Sequence, residues 1–237
     1  TELGWSRNDR MSNASGTFTF ASLEDYAAGR PLQFTQRRGD PLVDYSRYEF
    51  SWYVHDELRV RDDLQLGLGL RHDFQSYLDD KVNLGPRASL AWTPFGEGKL
   101  TLRGGAGLFY DWYSTSLYEQ TLRLDGFRQQ DLIVSDPGWP DPFADGGEAM
   151  TPPPSVVRAG TDLAMQQTRR MSVGVEQDLT TALQLRVNVF DESTTHRFRG
   201  LNVNAPIDGV RPNPSFARIT ELQSIGEAEE RGFDVTL

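Results

Sequence analysis

The fold is decided by the stretch Tyr48-Glu-Phe-Ser-Trp-Tyr-Val-His-Asp-Glu-Leu-Arg-Val60 and by Leu64-Gln-Leu-Gly-Leu-Gly-Leu70, which follows it closely. In the first stretch the even-numbered residues are apolar except Asp56, and the odd-numbered residues are mostly polar. In the second stretch every even-numbered residue is leucine. Because a β-strand points alternate side chains to opposite faces, each stretch predicts a long strand with one apolar and one polar face.

The two strands are joined only by residues 61–63, so they predict a hairpin with a tight turn. Equivalent faces must coincide across a hairpin, because a slip by one residue turns every side chain over. We place Val60 opposite Leu64, which sets Trp52 against His72, Phe50 against Phe74 and Tyr53 against Arg71.

Two further hairpins follow the same pattern, one before and after residues 93–98 and one before and after residues 180–182. In the latter, Leu179 opposite Leu183 would set Glu176 across from Arg186 on the polar face. Opposite charges in such cross-strand pairs are favourable.

Short and long connections alternate strictly along the chain. The connections at 61–63, 93–98 and 180–182 are short, whereas those at 8–42, 75–86, 111–166 and 194–228 are long. Bacterial outer-membrane barrels have short periplasmic turns and long extracellular loops. The sequence therefore predicts an all-β fold: an antiparallel transmembrane β-barrel, an up-and-down meander in which residues 1–237 form one partial barrel domain. A short helix beginning after Ser22 and stopping at Gly29 is expected in the first long loop.

Composition excludes several classes of function. The formal net charge of −10 argues against nucleic-acid binding, which needs a basic surface. The absence of cysteine excludes a thiol nucleophile and a cysteine-ligated metal. We recognise no motif for catalysis, a cofactor or a metal, and we expect a protein that is not an enzyme.

Several segments carry a family resemblance: Gly16-Thr-Phe-Thr-Phe20 with Ser22–Pro31, Tyr53–Val60 with Leu64–Phe74, Leu84–Arg87 with Ala91–Gly96, Leu102–Asp111, and Gly209–Pro214 with Glu221–Gly226. Their order resembles the barrel of a TonB-dependent outer-membrane receptor of the Oar-like branch. The resemblance implies a barrel of about 22 strands closed by a plug domain. It also implies import of a scarce substrate across the outer membrane of a Gram-negative bacterium.

The chain contains no plug domain and no TonB box, so we expect a slice of a larger barrel with about eight strand segments. Its expected partners are outer-membrane lipid, an unidentified imported ligand, and the plug domain and TonB system through parts of the receptor outside this chain. In the family picture the long loops capture substrate. The polar-face residues Arg71, Arg103, Arg186 and Tyr53 would line the lumen.

Aromatic residues cluster toward the strand ends, where amphipathic rings favour the interface between membrane and water. The predicted interfacial aromatics are Tyr48, Phe50, Trp52, Phe74 and Tyr110 at the loop end and Trp92 and Phe95 at the turn end. Asp56 falls on the apolar face, unless a bulge turns it inward.

Two alternatives stay open at this point. The chain could form a complete small barrel with an adhesin or structural role, closed by pairing residues 1–7 with 230–237. It could also be a soluble all-β carbohydrate-binding domain, whose apolar face would then be covered by a second layer.

Overall fold

A computed structural model describes residues 2–95, 99–144 and 148–237. Thirteen strands and two helices follow one another along these residues. They are β1 (Glu2–Asn8), β2 (Thr17–Thr19), α1 (Leu23–Ala27), β3 (Gln33–Gly39), β4 (Val43–Arg61), β5 (Leu64–Gln75), β6 (Asn83–Trp92), β7 (Leu100–Asp111), α2 (Thr115–Arg123), β8 (Gln129–Ser135), β9 (Glu148–Met150), β10 (Ser155–Ala159), β11 (Gln166–Asp178), β12 (Gln184–Asn202) and β13 (Arg218–Thr236).

Nine strands form one large sheet in the order β1-β4-β5-β6-β7-β11-β12-β13-β10. All neighbours from β1 to β13 are antiparallel, as the meander prediction requires, whereas β10 runs parallel to β13. The strands β1 and β13 do not pair with each other within the described residues, so the terminal pairing expected for a complete small barrel is not formed. The sheet is an open section of barrel wall.

The predicted register of the first hairpin is confirmed over most of its length. Phe50 lies opposite Phe74, Trp52 opposite His72 and Tyr53 opposite Arg71. The predicted pair at the turn is wrong: the register shifts between Arg59 and Arg61, and Arg61 lies opposite Leu64. An irregularity of this kind adds a residue to one strand and bends it, which a pairing rule based on alternation does not anticipate.

Asp56 stays on the apolar face. It lies opposite Leu68, in a stretch of β4 where the pairing with β5 is continuous. The irregularity near the turn therefore does not rotate it inward, and its carboxylate shares a face with Val54 and Leu58.

The hairpin of β11 and β12 also keeps its predicted register. Glu176 lies opposite Arg186, and Arg170 lies opposite Glu192. The hairpin of β6 and β7 pairs Trp92 with Leu102. Its predicted turn at 93–98 includes residues 96–98, which lie outside the described residues.

The apolar face of the large sheet is open to the surroundings. Val173 on β11 is 68% exposed and Phe233 on β13 is 74% exposed, and most large apolar residues of this face are exposed in the same way. No layer of the described chain covers them, which is contrary to the carbohydrate-binding alternative. Burying such a face is the main source of folding free energy in water, so a bilayer is its natural solvent.

The long connections are more structured than predicted. Loop 8–42 contains β2, α1 and β3, and loop 111–166 contains α2 and β8 to β10. The predicted loop 194–228 is wrong at both ends, because β12 continues to Asn202 and β13 begins at Arg218. Loop 75–86 shortens to residues 76–82. The added strand segments carry apolar residues at irregular spacing, such as Ile219, Leu222 and Ile225 on β13, so they lack the alternation that marks the rest.

A second sheet, in the order β2-β3-β8-β9, is built from the first and third long connections. Its apolar side holds Phe18 with its ring centroid 4.7 Å from Phe34 and 4.9 Å from Trp139. Gly16 enters this sheet at φ +82°, and a Cβ there would lie 2.0 Å from Phe34 Cζ, so only glycine fits.

The helix α1 begins and ends as the sequence indicates. The Ser22 hydroxyl accepts a hydrogen bond of 3.0 Å from the Asp25 amide, and Gly29 follows the helix at φ +63°. None of the described helices is both long and apolar enough to cross a membrane.

A cluster of buried apolar residues, which we call the loop core, lies where the loops meet the ends of the strands. It consists of Leu78, Tyr113, Leu163 and Met165, against which Phe198 of β12 packs. The three connections 76–82, 112–128 and 160–165 therefore share one core. Such shared packing gives the loops a defined arrangement above the sheet.

Candidate functional site

The polar face of the large sheet is the first candidate site, and it carries all four predicted lumen residues. Tyr53 and Arg71 are opposite each other on β4 and β5, Arg103 lies on β7 and Arg186 lies on β12. The structure brings them together as two separate groups.

Arg103 and Arg186 share one carboxylate. Their Nε atoms lie 3.4 Å and 3.6 Å, respectively, from Oε2 of Glu176, which stands on β11 between their two strands. Glu176 is largely shielded, whereas both guanidinium groups are more than half exposed. Two cations facing one anion leave a local excess of positive charge on this part of the wall.

Arg71 has its own partner. Its Nε lies 2.9 Å from both carboxylate oxygens of Asp73, which is buried at 3% exposure. Tyr53 is directly opposite and is well exposed on the same face. Arg71 is therefore fixed beside an exposed phenol, at the loop side of the wall.

Carboxylate partners recur along this face. Arg47 contacts Glu49 at 2.7 Å and Glu2 at 2.9 Å, and Arg170 contacts Glu192 at 2.6 Å. Such exposed pairs contribute little individually to stability. They make the face hydrophilic, as expected of a barrel interior.

Sequence reasoning missed Arg87, which also points to the polar face. Its position was readable from the alternation, because its neighbour Ala88 lies on the apolar face with Leu90 and Trp92. What the sequence did not show is its contact: the guanidinium lies over the ring of Phe109, 4.2 Å from the centroid.

Four of the five predicted interfacial aromatics at the loop end, Tyr48, Phe50, Trp52 and Phe74, lie side by side on the apolar face of β4 and β5, whereas Tyr110 lies on β7. The Phe74 ring centroid is 5.1 Å from that of Phe50 and 6.2 Å from that of Tyr48. The ring centroids of Trp52 and His72 are 5.9 Å apart. Tyr110 accepts a hydrogen bond of 2.7 Å from Gln167. An interfacial role for these residues stays a prediction.

The turn-end aromatics are placed differently. Trp92 donates from Nε1 to Asp63 at 3.0 Å, which ties β6 to the turn after β4. Phe95 is 77% exposed. Both residues are at the opposite end of the strands from Tyr48 and Phe74, as a second aromatic band would require.

The loop core is the second candidate site. Gln75 accepts from the Tyr113 amide at 2.8 Å and donates to its carbonyl at 3.3 Å, so one buried side chain satisfies both backbone groups. Burial raises the pKa of Tyr113 to about 12 and, mainly for the same reason, that of Tyr118 to about 12. The rings of Tyr118 and Tyr77 are stacked, with their centroids 3.6 Å apart. These contacts hold the loops in place and offer no acid or base for catalysis near neutral pH.

Over the described residues, no group of three or more His, Cys, Asp or Glu side chains is arranged to hold a metal ion.

Comparison with known structures places the fold. The chain superposes on the outer membrane transporter YddB from Escherichia coli with a TM-score of 0.63 at 15% identity, over 88% of this chain and 24% of that one. For the siderophore receptor PirA from Pseudomonas aeruginosa the TM-score is 0.55 at 16% identity, over 86% of this chain and 34% of that one. For a variant of the ferric enterobactin receptor PfeA from Pseudomonas aeruginosa the TM-score is 0.58 at 17% identity, over 99% of this chain and 29% of that one.

The chain thus spans between about a quarter and a third of these proteins, and at such low identity the likeness concerns the fold. The curated proteins gave no significant sequence match. A family model described as outer membrane beta barrel domain matches residues 2–83 and 75–237, which is nearly the whole chain. The exposed apolar face of the large sheet and the antiparallel meander of its strands agree with that match. The chain belongs to the outer membrane beta-barrel domain family and resides in the outer membrane.

Proposed function

We propose that this chain forms part of the wall and the external loops of a TonB-dependent receptor that imports a scarce substrate across the outer membrane. The polar-face side chains would line the lumen of the receptor, and the loop core would hold its external loops in place. The rest of the receptor, including a plug domain, would lie in parts of the protein outside this chain.

The observation that carries the proposal is the sidedness of the sheet. The connections 62–63 and 179–183 at one end are short, whereas the connections at the other end carry a four-stranded sheet, two helices and a packed core. Long loops on one side are common to outer-membrane barrels, but here they are folded into their own sheet and buried core, which gives a fixed surface on which a ligand can bind. Loops on a rigid scaffold are where binding residues concentrate.

The similar structures support the same function. Of those described above, one is named as a siderophore receptor, one as a ferric enterobactin receptor and one as an outer membrane transporter, and all share this fold. Their substrates suggest ferric siderophores as the first class to test, beside cobalamin, oligosaccharides and peptides.

The experiment is an uptake assay in the native host. Cells with the gene, without it, and with the gene but lacking TonB are compared for accumulation of radio-iron-labelled enterobactin, cyanocobalamin and a maltodextrin. We expect one probe to accumulate only when both the gene and TonB are present. Equal accumulation in all three strains, together with a loss of surface adhesion in the deletion strain, would contradict an import role.

Residue roles on the polar face are tested in the same strains. Arg103→Ala removes one of the two cations on Glu176, and Arg61→Ala is the matched control, because Arg61 is an exposed arginine paired with Asp63 at the short turn and lies beyond the register shift, opposite Leu64. We expect uptake to fall for Arg103→Ala alone. Unchanged uptake would remove Arg103 from the transport path.

A further inference from the structure

One arginine of the polar face differs from those already described. Within the described residues, no carboxylate pairs with Arg87, and its Nε is fully shielded without a hydrogen-bond partner. Arg47, Arg71, Arg103 and Arg170, in contrast, each contact a carboxylate. A guanidinium that is partly desolvated without an anion is unfavourable, so this site is incomplete by itself.

The local sequence holds Arg87 in this position. Its two cross-strand neighbours are glycines, Gly69 on β5 and Gly107 on β7. A Cβ on Gly107 would lie 3.0 Å from Arg87 Cγ and 3.2 Å from Phe109 Cε2. The missing side chain therefore gives the arginine room to extend across β7 and lie over the Phe109 ring.

The surroundings leave the terminal nitrogens free for a ligand. Nε is shielded, and no hydrogen bond among the described residues uses Nη1 or Nη2. Arg170 lies nearby with its guanidinium 5.7 Å from the Phe109 ring centroid, but it is paired with Glu192 and also attracted by Glu230, on the strands beyond it. The planar fork of Arg87 is thus the available cation, and an aromatic ring restrains its orientation.

We propose that Arg87, positioned by Phe109 and Gly107, binds a carboxylate group presented inside the barrel. The carboxylate completes the site through paired, charge-assisted hydrogen bonds to the two terminal nitrogens. The inference rests on the proposed function in that the polar face is taken to be the lumen wall of a receptor. The carboxylate belongs either to the transported substrate or to a protein segment within the lumen.

The test is arginine modification of the intact protein, purified from the outer membrane in detergent. Phenylglyoxal labels unpaired guanidinium groups, and the labelling rate of each arginine is read peptide by peptide by mass spectrometry. Succinate is the carboxylate probe, sodium chloride at equal ionic strength is the control, and Arg61 at the short turn, which is paired with Asp63, is the internal reference. The measurement needs no transport, so it stands or falls separately from the uptake assay.

If the substrate supplies the carboxylate, Arg87 is labelled rapidly in the purified protein, and succinate slows its labelling about tenfold while leaving Arg61 unchanged. If a protein segment supplies it, Arg87 is protected without any addition. The R87K variant then couples to that segment on carbodiimide treatment. Labelling of Arg87 that is rapid and insensitive to succinate overturns the proposal, and so does protection without a carbodiimide product at position 87.

Discussion

Replacement of Val173 by arginine tests the central physical inference, that the apolar face meets lipid. Val173 is in the middle of the apolar run of β11, between Met171 and Val175 on the same face. It pairs with Gly104 on one side and Val189 on the other, and it is 68% exposed. No described residue would be displaced by a longer side chain pointing outward.

The expected magnitude depends on the solvent at this face. An arginine on the lipid face of a barrel costs about 2–4 kcal/mol near the bilayer midplane. Since about 1.4 kcal/mol corresponds to a factor of ten, the folding equilibrium should fall roughly 30- to 700-fold. If Val173 faced water, the same exposed substitution would change stability by no more than about 0.5 kcal/mol.

The assay is denaturant-dependent folding of the full-length receptor into phospholipid vesicles, followed by tryptophan fluorescence. Ser172→Arg is the matched control, because Ser172 is the adjacent residue on β11 and points to the polar face. We expect Val173→Arg to lose at least about 2 kcal/mol and Ser172→Arg to lose less than about 1 kcal/mol. Equal losses in the two variants, or none in Val173→Arg, would refute the assignment of the faces.

Three further predictions concern single side chains. Asp56→Leu should stabilise the vesicle-folded protein by roughly 1 kcal/mol, because it removes a carboxylate from the apolar face; the same titration measures it, and a loss of stability would contradict that placement. Tyr113→Phe should leave loop protection from proteolysis unchanged or improved, since its buried hydroxyl has no partner. Because burial raises the pKa of Tyr113 from 10.0 to about 12, ionisation of this group leaves stability unaffected below pH 10 and lowers it as the pH rises from 10 toward 12, and ultraviolet titration of Tyr113→Phe should show one high-pKa tyrosine fewer. Glu176→Gln should cost no more than about 1 kcal/mol and increase the anion preference of the channels that the receptor forms in planar bilayers once its plug domain is deleted, because Arg103 and Arg186 lose their shared countercharge.

The sheet could be predicted from the sequence because one of its faces meets a uniform apolar solvent. Alternation with period two identified β4 and β5, and it set Tyr53 opposite Arg71 as the structure has them. The same rule gave the pair of Glu176 and Arg186. In both hairpins a single short turn leaves few possible registers, so local sequence suffices.

The remainder depends on contacts between distant parts of the chain. β3 pairs with β8, so that Arg37 meets Asp131, and nothing in either segment indicates the other. The upper parts of β12 and β13 have polar residues on both faces and give no periodic signal. Arg87 looked like any other polar-face residue, because its contact with Phe109 across Gly107 is formed between two strands and is not visible in the local sequence.

The short strand β10 limits the length of β13 that is available for pairing with a further strand of the barrel. It runs parallel to Arg218–Leu222, and the Gly160 amide closes this contact with a hydrogen bond of 2.8 Å to the Leu222 carbonyl. The outer hydrogen-bonding groups at the top of β13 are therefore occupied by a piece of loop. A further strand that paired with this edge of β13 could do so only from Gln223 onward and would have to end or bend away there. At the loop end of the barrel, β10 of the same chain would occupy the place of that strand.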